Sequence, residues 1–172
     1  IKARDWKALQ KDEGDPLVNR AISALPPGST FKVVTAMAGL RKNLANARFT
    51  CSGGVSYGDH YFKCWVAEKH YTHGTLGLAD ALKVSCDCFF YQYGNAASIE
   101  SIDYVGSTLG IGRKYELGLT DEREGCMPDP NWMKARFPQE KWSRGYGCFW
   151  LWVRSYSTGD TNPREEWRRT RL

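Results

Sequence analysis

LPPGSTFKVVTAMAGL, residues 25–40, is the stretch in which a turn, a helix start and two reactive side chains coincide. Pro26, Pro27 and Gly28 end whatever precedes them, because two fixed φ angles and a glycine suit a turn and leave few backbone donors for a ladder. From Thr30 onward the apolar residues Val33, Ala36, Met37 and Leu40 fall at i, i+3, i+4, i+7, which predicts a helix with that stripe buried. Ser29 and Lys32 lie three apart in its first turn and share a face. Capping alone accounts for a serine there, since its oxygen can accept a free backbone N–H. The lysine is harder to explain: a cation in the first turn opposes the helix dipole, where a glutamate would complete a capping box. A lysine that gives up its proton in such surroundings can take one from a nearby hydroxyl, which is a nucleophile-and-base arrangement. Amide N–H groups around Ser29 could then stabilise a developing oxyanion, as in acyl transfer. The alternative is a capped helix with a solvated lysine, because S-x-x-K is short and recurs by chance.

The 172 residues suffice for one domain with a real core and leave no room for a second of ordinary size. Seven Trp, nine Tyr and seven Phe predict that most of the chain is ordered. A net charge of +5 permits anionic partners such as lipid surfaces but is spread too widely to point to nucleic acid. No run approaches the length of a membrane span and no signal peptide is read. The chain opens on Ile1 in a polar, charged stretch, which reads as an internal piece of a larger protein.

Cysteines at 51, 64, 86, 88, 126 and 148 allow disulfides without specifying them. Cys51 and Cys64 bracket the Gly-rich CSGGVSYGDHYFKC, which reads as a loop stapled at its base. Cys86 and Cys88, one residue apart, suit neither a C-x-x-C redox site nor a zinc knuckle. His60, His70 and His73 add enough ligands for zinc. The spacings nevertheless match no recurring framework and buried free cysteines are common core residues, so no metal and no cofactor is expected.

In chain order, residues 1–15 read as a helix or lead-in broken at Gly14, Asp15 and Pro16, and 17–25 as an extended or turn approach. Phe49 to Trp65 favours a small hairpin or an ordered loop. LGLADALKVSCDCFFYQY, residues 76–93, carries the second strong apolar helix signal, interrupted at Val84 to Asp87. This predicts a helix, a turn at Ser85 and a second helix starting near Asp87, capped by Ser85 or Asp87. The sharper expectation makes Ser85 a proton shuttle and Asp87 the group that orients a lysine or a substrate amide. Gly106, Gly110 and Gly112 have the wrong spacing for a phosphate loop and mark instead a helix end near Leu109. REGCMPDPNWMK, residues 123–134, reads as a Pro-rich surface loop leading into a short Trp-bearing segment.

Together these segments resemble the transpeptidase domain of penicillin-binding proteins, most nearly the elongation-type, monofunctional group called penicillin-binding protein 2. NRAI and PPGSTFKVVTAMAGL, within residues 19–40, resemble the segment with the active serine: Ser29 matches the acylated serine and Lys32 the lysine of SxxK. KCW at 63–65 and HGTLGLADALKVSCDCFFYQYG at 73–94 are similar to the stretch bearing the SxN motif, with Ser85 as its serine and Asp87 at its third position. LGIGRKYELGL and GCMPDPNWMK, within residues 109–134, resemble the region that follows, including PDP-x-W.

The resemblance implies an α+β fold, part of the β-lactamase and penicillin-binding transpeptidase fold and mainly its helical region, with the late sheet strands missing. It implies Ser29, Lys32, Ser85 and Asp87 as catalytic residues, no cofactor, and peptidoglycan stem peptides and β-lactams as ligands. It further implies a membrane-anchored parent that holds this domain on the periplasmic or extracytoplasmic side and works with cell-wall elongation proteins. Two other readings stand beside it: a β-lactam sensor or β-lactamase relative, and a non-catalytic helical fragment in which Ser29 merely caps.

The third motif of that family, K-[ST]-G, does not occur in the 172 residues. Residues 142–172 also depart in composition, with four tryptophans, six arginines and no lysine, where the family continues with segments resembling SIGQG and TPLQLA. The expected organisation is therefore a partial transpeptidase domain over 1–141 and an atypical tail over 142–172 produced by an altered reading frame, the alternative being a lineage-specific extension. FWLWV, residues 149–153, reads as an aggregation-prone segment of high β-propensity and no charge.

Overall fold

The structure, a computed structural model, describes residues 2–19, 21–22, 27–57, 60–119, 122 and 124–136. The expectations for residues 142–172, FWLWV included, lie outside the described residues, as do those for Leu25 and Pro26. The chain divides into two compact units, one of residues 1–25 and 112–126, the other of 26–111 and 127–172.

In the first unit, helix α1 runs over Ala3–Lys11 and gives way to extended backbone at Asp12. Asp12 Oδ1 accepts the N–H of Gly14 at 2.8 Å, and Asp15 takes φ +48°, so the break falls at the predicted Gly-Asp-Pro. Further on, the Glu122 carboxylate accepts the N–H groups of Tyr115 at 2.6 Å and Leu117 at 3.2 Å, closing a loop through charge-assisted bonds.

The second unit is built on α2, Lys32–Arg41, which is entered through a 3₁₀ turn at Gly28–Phe31. Gly28 adopts φ +55°, a left-handed conformation that suits glycine. The helix is where the sequence puts it, but its buried face is not. Val33, Met37 and Leu40 of the expected stripe are 55%, 40% and 47% exposed, and only Ala36 is buried. Lys32, Val34, Thr35, Ala38 and Gly39 turn inward instead. Two further helices, α4 (Asp87–Ala97) and α5 (Ile99–Thr108), pack on that face. Close approach favours small residues there over large apolar ones. A Cβ on Gly39 would fall inside the ring of Tyr93, and the Ala38 carbonyl accepts Ser101 Oγ at 3.1 Å.

Four short strands make a small open sheet structure in two pairs. β1 (Phe49–Cys51) pairs antiparallel with β4 (Gly74–Leu76), placing Cys51 opposite Gly74. β2 (Gly54–Tyr57) and β3 (His60–Lys63) form the predicted hairpin, with Gly54 opposite Lys63. Cys51 and Cys64 do stand at its base, as free thiols.

The interrupted apolar run folds as expected into α3, Leu78–Lys83, a turn at Val84 and Ser85, and then α4. The cap differs. Neither Ser85 nor Asp87 caps α4: the N-cap is Cys86, whose Sγ accepts the N–H of Phe89 at 3.4 Å, while the Asp87 carboxylate serves other donors. Helix α5 ends into Gly110 at φ +87° and Gly112 at φ +84°, which fits the stop read from those glycines. Asp129 Oδ1 accepts the N–H of Trp132 at 2.6 Å at the start of the short α6, Pro130–Arg136.

Two apolar clusters hold this unit together. Phe31, Val34, Ala38, Tyr91, Ile102 and Val105 join α2, α4 and α5. Phe89, Phe90 and Tyr93 meet Ala36, Ala81, Val66 and the thiols of Cys51, Cys64, Cys86 and Cys88. No helix among the described residues is long and apolar enough to cross a membrane.

Candidate active site

Ser29 lies on the 3₁₀ turn and Lys32 one turn later at the head of α2, so the local fold presents both side chains toward the turn between α3 and α4. Ser85 in that turn holds φ +51°, a left-handed conformation costing roughly 1–2 kcal/mol for a residue with a Cβ. Its backbone is held there by donors. Lys32 Nζ reaches the Ser85 carbonyl at 2.7 Å and Trp65 Nε1 reaches it at 3.2 Å. The Ser85 hydroxyl faces both partners, 3.0 Å from Ser29 Oγ and 2.8 Å from Lys32 Nζ.

Lys32 is 2% exposed, so the solvated-lysine alternative does not describe it. Its Nζ donates to Asp87 Oδ1 at 2.7 Å, and the Phe90 ring lies 5.6 Å away. Asp87 Oδ2 accepts the backbone N–H of Trp65 at 2.9 Å. The structure thus brings together all four residues singled out from the sequence, Ser29, Lys32, Ser85 and Asp87. It adds Trp65, whose main chain and indole tie down Asp87 and Ser85 from a neighbouring 3₁₀ turn, Trp65–Lys69. No local pattern marks Trp65, because its partners are about 20 residues away in the chain.

Burial pushes the Asp87 carboxyl above its ordinary value of 3.8, outweighing the bonds from Lys32 and the Trp65 N–H that favour its charged form. The folded state therefore holds this proton more tightly than the unfolded state. Stability from this group is fully present below pH 3.8 and declines as pH rises through the raised folded value. Asp87→Asn, which cannot titrate, should gain on the native chain as pH rises through that window; urea midpoints of both proteins from acid to neutral pH check the sign.

Beside this network, Cys51 Sγ, Cys64 Sγ, Cys86 Sγ and a ring nitrogen of His73 converge, all within 4.8 Å of one another. His73 Nδ1 is 3.7 Å from Cys64 Sγ. The thiols of Cys86 and Cys88 donate to Cys64 and pull its pKa well down. Their own are driven up by that bond and by burial. Three soft sulfur donors and an imidazole are a set that could hold a tetrahedral metal ion. Sequence spacing hides it, since strand β1, the residue before β4, the hairpin exit and the α4 cap each bring one donor. His70, also considered from the sequence, ends the 3₁₀ turn in a left-handed conformation and is not in the group.

The penicillin binding protein transpeptidase domain family matches residues 2–156 of the chain. The peptidoglycan D,D-transpeptidase MrdA of Acinetobacter baumannii is 33% identical over 150 residues, covering 84% of this chain and 22% of that protein. Among solved structures, Pseudomonas aeruginosa PBP2 in complex with WCK 5153 matches with a TM-score of 0.71 and 27% identity, over 88% of this chain and 33% of its own. Helicobacter pylori PBP2, in its complex with MreC, gives 0.71 and 32% over 88% of this chain and 28% of its own. The chain spans less than a quarter of the length of the MrdA relative it matches. With the family model covering most of the sequence and the fold shared with the two PBP2 structures, the chain belongs to the penicillin-binding protein transpeptidase family.

Proposed function

We propose that this chain is a piece of a serine D,D-transpeptidase and carries its nucleophile and proton-transfer groups. The observation that supports this best is the unbroken path from Ser29 Oγ through Ser85 Oγ to a fully buried Lys32 amine, in steps of 3.0 and 2.8 Å. Ser29 Oγ attacks the carbonyl of the penultimate D-alanine of a stem peptide, and its proton passes by way of Ser85 Oγ to Lys32. For Lys32 to accept it, the amine must first be neutral. Asp87 Oδ1, at 2.7 Å from Nζ, holds the Lys32 amine in place against Ser85. The terminal D-alanine leaves with the proton, and an amine of a neighbouring stem takes the acyl group from Ser29. β-Lactams acylate the same oxygen, and the chemistry needs no cofactor.

The whole protein, on this reading, is anchored in the membrane with this domain outside the cytoplasm and acts with cell-wall elongation proteins. The departure in composition after Lys141 fits an altered reading frame that begins within the last part of the family match, which runs to residue 156. Translating the downstream nucleotides in the other two frames should recover a segment like SIGQG, and its absence from both would contradict this.

Labelled penicillin tests the chemistry. Ser29 should be acylated slowly and keep its label, and Lys32→Met should slow acylation by about 100-fold or more, as for loss of a general base. Rapid loss of the label would point to a β-lactam-hydrolysing relative, and an undiminished rate in Lys32→Met would remove the lysine from the mechanism.

A further inference from the structure

Trp65 is not on the path along which the proposed acylation moves its proton, yet both of its N–H groups are spent on that site. The backbone N–H donates to Asp87 Oδ2 at 2.9 Å. The indole Nε1–H is shared between the Ser85 carbonyl at 3.2 Å and the Val84 carbonyl at 3.3 Å. Trp65 is 45% exposed and so is not a core residue. Its ring is held in direction from outside: Lys69 Nζ stands 5.0 Å from the ring, and the imidazole of His73 meets it edge-on at 5.4 Å.

Both bonds bear on Lys32. Its Nζ faces the Ser85 carbonyl at 2.7 Å, Asp87 Oδ1 at 2.7 Å and Ser85 Oγ at 2.8 Å. An ammonium donates to all of them. A neutral amine keeps two N–H groups and one lone pair, and it acts as a base only when that lone pair faces the hydroxyl whose proton it takes. The Ser85 carbonyl and the Asp87 carboxylate accept, whereas the Ser85 hydroxyl can give a proton. Once the amine spends its N–H groups on the first two, its lone pair faces Ser85 Oγ, which lies 3.0 Å from Ser29 Oγ. Trp65 grips both of those acceptors, at the other oxygen of Asp87 and at the same carbonyl of Ser85. The grip on Ser85 matters more, because that residue holds φ +51°, a conformation costly for a side chain with a Cβ. A turn of its backbone moves carbonyl and hydroxyl together. We propose that the Trp65 indole N–H is a positioning group for proton transfer: by holding the Ser85 carbonyl it turns the Lys32 lone pair toward the Ser85 hydroxyl. This rests on the proposed acyl transfer. The indole acts through Ser85 and Lys32, so its loss appears in the acylation step rather than in β-lactam binding, and only while Lys32 is present.

Time courses of acylation of the full chain by labelled penicillin, taken over a range of concentrations, separate the saturating rate from the half-saturating concentration. Trp65→Phe keeps an aromatic ring and lacks the N–H. It should lower the saturating rate by about tenfold, as for loss of one hydrogen bond, and change the half-saturating concentration by less than about twofold. In Lys32→Met, where there is no lone pair to turn, the same change should add nothing. Trp65→Leu should fall within about threefold of Trp65→Phe, since the N–H rather than the ring is what counts. Circular dichroism confirms that each variant is folded. A Trp65→Phe chain that acylates at the native rate would overturn the proposal. An equal tenfold loss in the Lys32→Met background would overturn it too, by making Trp65 a support for the fold at large. A second readout needs no penicillin. In proton–nitrogen spectra, the indole cross-peak that is absent from Trp65→Phe should exchange slowly with solvent and shift in Lys32→Met, where the Ser85 carbonyl loses its other donor. A peak that exchanges freely, or that stays in place, would overturn the proposal even in a chain that takes no label. Failure of the acyl-transfer reading shows separately, as a folded native chain without an adduct or as an undiminished rate in Lys32→Met.

Discussion

Replacing Asp87 with alanine is expected to lower the unfolding free energy by about 3–5 kcal/mol, the cost of stranding a buried charge. Lys32 is 2% exposed and places Nζ 2.7 Å from Asp87 Oδ1, so truncation leaves an ammonium in a site that water cannot reach. The same change removes the acceptor for the part-buried Trp65 N–H. Asp87→Asn should cost less, because the amide oxygen keeps an acceptor for the Lys32 amine. Urea unfolding of both variants at neutral pH checks this. If alanine and asparagine cost the same, the Lys32 ion pair is not what the carboxylate supports.

Phe89→Ala is the second large effect, with an expected loss of about 3–5 kcal/mol for a fully buried aromatic whose site cannot collapse. Phe89 is 0% exposed, stacks on Tyr93 with centroids 5.2 Å apart, and meets Phe49 edge-on at 5.5 Å. Its backbone N–H also binds the Cys86 cap, so the ring and the turn at Ser85 share one support. Because Tyr93 presses against Gly39, relaxation into the void would have to move α4 against α2. Leu40→Ala, on the exposed side of α2, should change stability by less than about 1 kcal/mol. Thermal and urea unfolding of the pair should separate them clearly; equal losses would mean that the Leu40 stripe is covered after all.

That contrast marks where the sequence could and could not be read. Helix positions followed from local chemistry: Pro-Pro-Gly before Ser29, the polar interruption at Ser85, and the glycines after Leu109 all end or begin elements where they should. Which face of α2 is buried did not follow, because apolar periodicity assumes a partner on the large-residue side. The partners α4 and α5 instead approach the Ala38 and Gly39 side, where only small residues fit. The four candidate site residues were legible as two short motifs, but their meeting depends on a left-handed turn at Ser85 that no propensity predicts. Trp65 and the three thiols with His73 were invisible as groups, since each is assembled from segments remote in sequence and shaped by contacts rather than spacing.

The measurement that bears most directly on the account is intact-mass and peptide analysis of the folded chain after long exposure to excess labelled penicillin. A slow, sub-stoichiometric adduct confined to the peptide containing Ser29, and absent from Ser29→Ala, is the predicted result. A chain shown to be folded that gains no adduct, or one that Ser29→Ala retains in full, would contradict the assignment of Ser29 as the acylated residue.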